Sequence, residues 1–428
     1  MERRRLTRGH IAWGAMWCLL VLAAAAPTQR ASAAVLEPRN DPFYQAPARL
    51  DHVANGTILR VRKVDVSLVV LPISGLRATT YQLLYRTEDN DNRPTANVAT
   101  VIVPQGTSLQ KPRGLVSLQD AEDSLDWDCA PSYQLRVGEN APTGEMDGNL
   151  VAELAATALP ELAAGRVLVI PDVEGPTSDY VVRRSDAHMV LDAIRASERF
   201  APAGLQRSAP VAMVGYSGGG WESAVANELQ PSYAPELNVV AVAAGGVPVA
   251  NLANVRYIDG GVATGVLMAV ADRIARAYHV ESTLVSALTA AGRAFLKKVR
   301  TGCATSVFAA PFAHFNQWTT KPNFFGRADI QRIIADNELG HGVPKAPTFY
   351  YNGVQDEIIW VEPLDGLVAE YCAAGAPILY VRDHAGLEHI QGAGNFFALA
   401  RAYVEARFAG APVPSSCGVP PYNSVPPE

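Results

Sequence analysis

The chain has 428 residues, 49% of them apolar, enough to bury a large core and to form one big domain with an insertion. It carries 36 basic and 42 acidic residues; residues 1–33 hold five arginines and one glutamate, so 31 basic against 41 acidic residues follow them. That acidic balance argues against nucleic acid or an anionic membrane as an electrostatic partner.

Reading along the chain, Arg3, Arg4, Arg5 and Arg8 precede an apolar run from Ile11 to Ala26 and the small-residue site Ala31-Ser32-Ala33. This is the pattern of an export signal covering residues 1–33, too short in its apolar part for a stable membrane span. Leu6-Thr7-Arg8 leaves the export route open. The protein is therefore expected to be secreted, its chain starting near Ala34. Cys18 leaves with the signal; Cys129, Cys303, Cys372 and Cys417 remain, an even number that suggests two disulfides in an oxidising compartment. Spacing alone allows three pairings.

Apolar, β-branched runs at Thr80–Tyr85, Asn97–Val103, Leu115–Leu118, Val167–Ile170, Val211–Val214, Val239–Ala243, Thr348–Tyr351 and Ile378–Val381 predict strands. Helical spacing fills Leu150–Ala164, Met189–Arg199, Trp221–Leu229, Leu364–Cys372 and Phe396–Phe408. Alternating strands and helices predict an α/β fold with a doubly wound, mostly parallel sheet, and the Asp89-Asn90-Asp91-Asn92 turn predicts an antiparallel edge. The interval 250–343 breaks the rhythm with helical patterns at Leu267–Ala277, Leu284–Val299 and Ile330–Ala335. The expected organisation is a core from residues 34–249 and 344–428 with a helical cap insertion at 250–343, overhanging the carboxyl ends of the strands where ligands bind.

Val211–Val214 runs into Gly215-Tyr216-Ser217-Gly218-Gly219-Gly220 and then into a helical pattern from Trp221. A serine flanked by glycines two residues before and after, between strand and helix, is the signature of a nucleophile elbow. The Gly218 N–H and the helix N-terminus then face a developing oxyanion. A serine needs a histidine base oriented by a carboxylate, delivered by this fold in the order Ser, Asp or Glu, His. His279, His314 and His341 fall in or beside the insertion. Of the two after the last strand, His389 precedes the last helix and is preferred over His384. Asp356 follows the strand ending at Tyr351 and is the chosen carboxylate, with Glu357 or a helix-capping role as alternatives. A second oxyanion donor is expected on the loop beginning at Leu118. The acids Asp120, Glu122, Asp123, Asp126 and Asp128 on and beyond it also suit a calcium site or a solvated loop.

The ordered set Gln119, Glu122-Asp123, Asp128-Cys129-Ala130-Pro131-Ser132-Tyr133, Asp172, Glu174-Gly175, the elbow, Tyr233-Ala234-Pro235-Glu236, Asp356-Glu357 and Glu388-His389 resembles the secretory lipase family typified by Candida lipase A, of the α/β-hydrolase superfamily. The resemblance implies Ser217, Asp356 and His389 as the triad and Asp123 beside Gly218 in the oxyanion hole, the aspartate protonated. It also implies disulfides Cys129–Cys303 and Cys372–Cys417. Some members carry a longer tail past the position of Cys417 that helps cover the site, so a more open pocket is expected here.

The function implied is hydrolysis of carboxylic esters of lipids, a triacylglycerol lipase or esterase acting as a monomer, with a lipid–water interface as its setting and no metal or organic cofactor. Peptide or amide hydrolysis by the same triad, and a non-catalytic binding protein on this scaffold, are the rival readings.

Overall fold

The computed structural model describes residues 35–66, 75–106, 114–138, 148–249 and 252–418. The export signal expected at 1–33 and the terminal segment past 418 lie outside them. Nine strands form one sheet in the order β1-β2-β3-β5-β4-β6-β7-β8-β9. Strands β1 (Ile58–Val64), β2 (Ala78–Glu88) and β3 (Pro94–Pro104) are antiparallel, and β3 meets β5 (Val167–Pro171) antiparallel as well. From β5 across β4 (Leu115–Gln119), β6 (Val211–Tyr216), β7 (Val239–Gly245), β8 (Thr348–Gly353) and β9 (Ile378–Asp383) all pairings are parallel. The chain is thus an α/β-hydrolase with an antiparallel edge.

All eight strands expected from sequence are present, and β1 is additional. Its sequence ILRVRKV alternates apolar and basic residues and stays half-exposed at the sheet edge, where charge discourages pairing with another chain. At the β2–β3 hairpin, Asp89 accepts backbone N–H bonds from Asp91 (2.9 Å) and Arg93 (2.8 Å), while Asn92 takes a left-handed φ of 60°.

The helices are α1 (Pro131–Val137), α2 (Gly148–Glu153), α3 (Leu159–Ala163), α4 (Arg183–Arg199), α5 (Gly218–Tyr233), α6 (Leu252–Ile258), α7 (Val266–Ala277), α8 (Glu281–Ala287), α9 (Ala290–Val299), α10 (Ala304–Val307), α11 (Ala328–Asn337), α12 (Val361–Ala373) and α13 (His389–Phe408). A π-helical turn, Leu154–Ala158, joins α2 to α3. The central strands β4, β5 and β6 are buried on both faces, and their successive side chains go to opposite cores. Val116, Leu168 and Val214 pack with Leu154, Phe396 and Tyr403, whereas Leu115, Val169 and Met213 pack with Val190, Leu191 and Ile194 of α4.

Between β7 and β8 the described chain is helical, from α6 to α11, and builds a third apolar cluster around Leu267, Leu284, Leu296, Phe315 and Ile334, joined by Trp221 of α5. The single helical stretch read over Leu284–Val299 is two helices. Thr289 interrupts it by capping α9, its hydroxyl accepting the Gly292 N–H at 3.0 Å, and Leu288 bridges to Thr319. Arg273 of α7 reaches down to donate to the carbonyls of Leu125 (2.7 Å) and Thr177 (2.5 Å). No described helix is long and apolar enough to cross a membrane.

Two disulfides join Cys129 to Cys303 and Cys372 to Cys417, enclosing sequence separations of 174 and 45 residues. The first ties α1's approach to the helical interval; the second holds the chain after α13 against α12. Loop closure in the unfolded chain makes the longer bridge worth about 1 kcal/mol more than the shorter. Replacing Cys129 and Cys303 by serine should therefore destabilise the protein more than replacing Cys372 and Cys417, measured by denaturant unfolding of each double variant.

Candidate active site

The elbow forms because its glycines leave no room for anything larger. A Cβ on Gly219 would stand 2.1 Å from the Gln119 carbonyl oxygen, one on Gly220 2.3 Å from that of Gly245, and one on Gly215 2.2 Å from that of Gly219. With β6 and α5 pressed together in this way, Ser217 sits at φ 56°, a strained value for a residue with a side chain, and its N–H donates to Gly245 O at 2.9 Å. The hydroxyl is thereby raised at the carboxyl edge of the parallel strands, at the start of α5.

His389 opens α13, which Glu388 and Gln391 cap reciprocally. Its Nε2 lies 2.8 Å from Ser217 Oγ and its Nδ1 2.7 Å from Asp356 Oδ2. A carboxylate only accepts, so Nδ1 carries the proton and Nε2 is left to accept the serine hydroxyl. Asp356 Oδ1 in turn accepts the N–H groups of Ile358 (3.0 Å) and Ile359 (2.7 Å), which locks the carboxylate. Burial disfavours the imidazolium, but the charge and hydrogen bond of Asp356 outweigh it and raise the His389 pKa above 6.5.

Glu357, the alternative acid, faces elsewhere and accepts the backbone N–H of His389 at 2.8 Å. Three further contacts escaped the sequence reading. Tyr216 donates to His389 O (2.7 Å), its ring 5.1 Å from the imidazole. Tyr257 of α6 donates to Asp356 O (2.7 Å) and stacks on Trp360. Tyr180 donates to the carboxyl of Asp123. Each joins segments far apart in sequence, so no local pattern marks it. The other histidines after Ser217 stand apart: His279 pairs with Asp91, His314 with Asp259, His341 with the Ala335 carbonyl, and His384 is exposed.

Asp123 is buried at φ 43°, and its Oδ1 lies so close to Gly218 that a Cβ there would be 2.5 Å away. Burial raises its pKa, against the Tyr180 hydrogen bond and the His389 charge. Behind it lie Glu174, Asp186 and Glu222, each pushed well above the ordinary carboxyl range by burial, with a nearby acid adding: Asp186 for Glu174 and Glu222, Asp179 for Asp186. Among the described residues no acid cluster has a metal-holding arrangement. Asp126 and Asp128 instead pair with Arg39.

Over Ser217 opens a cavity of about 520 Å³. One wall is apolar and comes from α6, α7, α11 and the loop after β8, including Ile258, Leu267, Val270, Ile274 and Ile334; the other comes from α2, the π turn and α13.

The secretory lipase family model matches residues 149–416. The chain belongs to that family. This lipase is 32% identical over 351 residues to the secreted triacylglycerol lipase LIP1 of Malassezia furfur, covering 80% of this chain and 70% of that one. It is 31% identical over 404 residues to the trichothecene C-3 esterase of Fusarium sporotrichioides, covering 89% and 86%. The closed state of Candida antarctica lipase A superposes with a TM-score of 0.83 at 29% identity, covering 91% and 90% of the two chains. Membership of a secretory family fits the two disulfides, which belong to an extracellular protein.

A carboxyl kept neutral in the fold but ionised in the unfolded chain lowers stability as pH climbs from the unfolded pKa toward the folded one. Glu222→Gln should accordingly raise the melting temperature at pH 8 and leave it nearly unchanged below about pH 4, read by thermal unfolding at both pH values.

Proposed function

We propose that this lipase hydrolyses carboxylic esters of lipids by two-step acyl transfer, with Ser217 as nucleophile, His389 as general base and acid, and Asp356 as the group that holds the imidazole. The observation that carries the reading is the continuous relay from Ser217 Oγ through both nitrogens of His389 to Asp356, lying under an apolar cavity. His389 Nε2 takes the hydroxyl proton as Ser217 Oγ attacks the ester carbonyl. The carbonyl oxygen becomes an anion, and the Gly218 N–H with a protonated Asp123 donates to it. His389 then returns its proton to the leaving alkoxide; water, deprotonated by the same imidazole, releases the acid and restores Ser217. Each step uses groups of this chain and water.

Asp123 is suited to donation because burial raises its pKa and so favours the protonated form, the form in which other buried carboxylic acids serve as donors. The helical interval between β7 and β8 acts as a cap, supplying the apolar wall that receives the acyl chain. Relatives with such different substrates as triacylglycerol and a trichothecene ester leave the head group open. The cavity wall favours long apolar acyl chains over peptides, whose backbone it offers few polar partners. Such substrates gather at a lipid–water interface, the setting in which we expect this enzyme to work.

Ser217→Ala should lower p-nitrophenyl ester hydrolysis by roughly 10⁴-fold or more and abolish labelling by a fluorophosphonate, with the melting temperature retained; full activity in this variant refutes the reading. The active imidazole is neutral, so kcat/KM should fall as pH drops through a value above 6.5. Asp123→Asn keeps a donor and should keep most activity, whereas Asp123→Leu should lose roughly 10²- to 10³-fold in kcat, both measured on the same ester.

A further inference from the structure

The second wall of the cavity has its own chemistry. His389, Ala393 and Phe397 follow one another along α13, and beside them runs the stripe Ile390, Gly394, Ala398 and Arg401. From Ile390 to Arg401 the helix rises about 16 Å. Facing it are Ala152, Glu153 and Ala156, presented where α2 passes into the π turn. Small residues punctuate both sides, Ala393, Gly394 and Ala398 on α13 and Ala152 and Ala156 opposite. Ile390 is 65% exposed, and a Cβ built on Gly394 would meet nothing within 4 Å. The Arg401 guanidinium at the far end makes no hydrogen bond or ion pair among the described residues; Glu161 and Glu405 are its charged neighbours.

Proton transfer decides which part of an ester lies there. When the tetrahedral intermediate collapses, the bond between carbonyl carbon and alcohol oxygen breaks, the acyl group stays on Ser217 Oγ, and the alkoxide takes the proton from His389 Nε2. The alcohol oxygen must therefore come within hydrogen-bond reach of Nε2, on the α13 side of Ser217. The carbonyl oxygen faces Asp123 and Gly218, and the acyl chain is left the apolar wall of α7 and α11.

We infer that the groove between α13 and the α2–π turn is the alcohol subsite, built for esters whose alcohol part carries an extended apolar chain. The inference rests on the proposed triad and adds a substrate preference to it. Apolar side chains flank the near end, and Gly394 and Ala398 leave room for a chain further along α13.

The test compares two esters of one acid, methyl dodecanoate and dodecyl dodecanoate, with trilaurin as a branched third. Gly394→Leu fills the open space and favours helix; Ala398→Phe obstructs the groove one turn further on. Both should lower kcat/KM for dodecyl dodecanoate relative to methyl dodecanoate by roughly tenfold or more, as lost apolar room does in other specificity pockets. Trilaurin should follow the dodecyl ester if one arm of the glycerol lies in the groove. Val270→Phe, on the opposite wall, should instead alter the ranking of methyl esters by acyl length. An unchanged ratio in both α13 variants overturns the assignment while hydrolysis of methyl dodecanoate leaves the triad standing. Sensitivity to alcohol length in Val270→Phe alone overturns it too, by reversing the two walls.

Discussion

Backbone contact between glycines and carbonyl oxygens is the constraint on which this enzyme depends. Gly219 against Gln119, Gly220 against Gly245 and Gly215 against Gly219 bring β4, β6, β7 and α5 closer than any side chain permits. The closeness forces Ser217 into its strained conformation and sets its hydroxyl 2.8 Å from an imidazole that arrives from a helix 172 residues later. It also brings Asp123, on the loop leaving β4, against Gly218. One packing arrangement therefore positions the nucleophile and both groups assigned to the oxyanion. The strain is tolerable because the surrounding parallel strands are buried on both faces and cannot relax away from it.

The site's electrostatics follow from the same burial. A row of buried carboxyls, Glu174, Asp186 and Glu222 with Asp123 at its end, occupies the interior beside the elbow, and burial raises the pKa of each. Each ionisation there would face low polarisability and any charge on its neighbours, which favours the protonated form and suits Asp123 to the donor role proposed for it. His389 is displaced the other way: it too is buried, yet the carboxylate at Nδ1 stabilises its protonated form. Opposite outcomes from equal burial are what a donor and a base in one pocket require.

Much of this was legible in the sequence because it is local. An apolar strand, a Gly-x-Ser-x-Gly turn and a helix are contiguous, and strand alternation with helices follows from periodicity. His389 was preferred over His384 for its place before the last helix, and Asp356 was chosen with Glu357 left open; the geometry brings Asp356 and His389 to Ser217 while Glu357 turns to the His389 backbone. The contacts of Tyr216, Tyr180 and Tyr257 were not legible, since each spans segments that only the fold brings together. Strand β1 was hidden by its arginines and lysine, and the break at Thr289 by the apolar residues on either side of it.

The bridge from Cys129 to Cys303 has a mechanical consequence. The helical interval leaves the sheet after β7 and returns to it before β8, and the disulfide adds a third mounting point within a few residues of the Asp123 loop. Arg273 fastens α7 to the same floor through two carbonyls. A body held at three separated points has no axis left about which to swing as one piece. Movement of the interval as a whole would therefore pull on the segment that leads from Asp123 to Cys129.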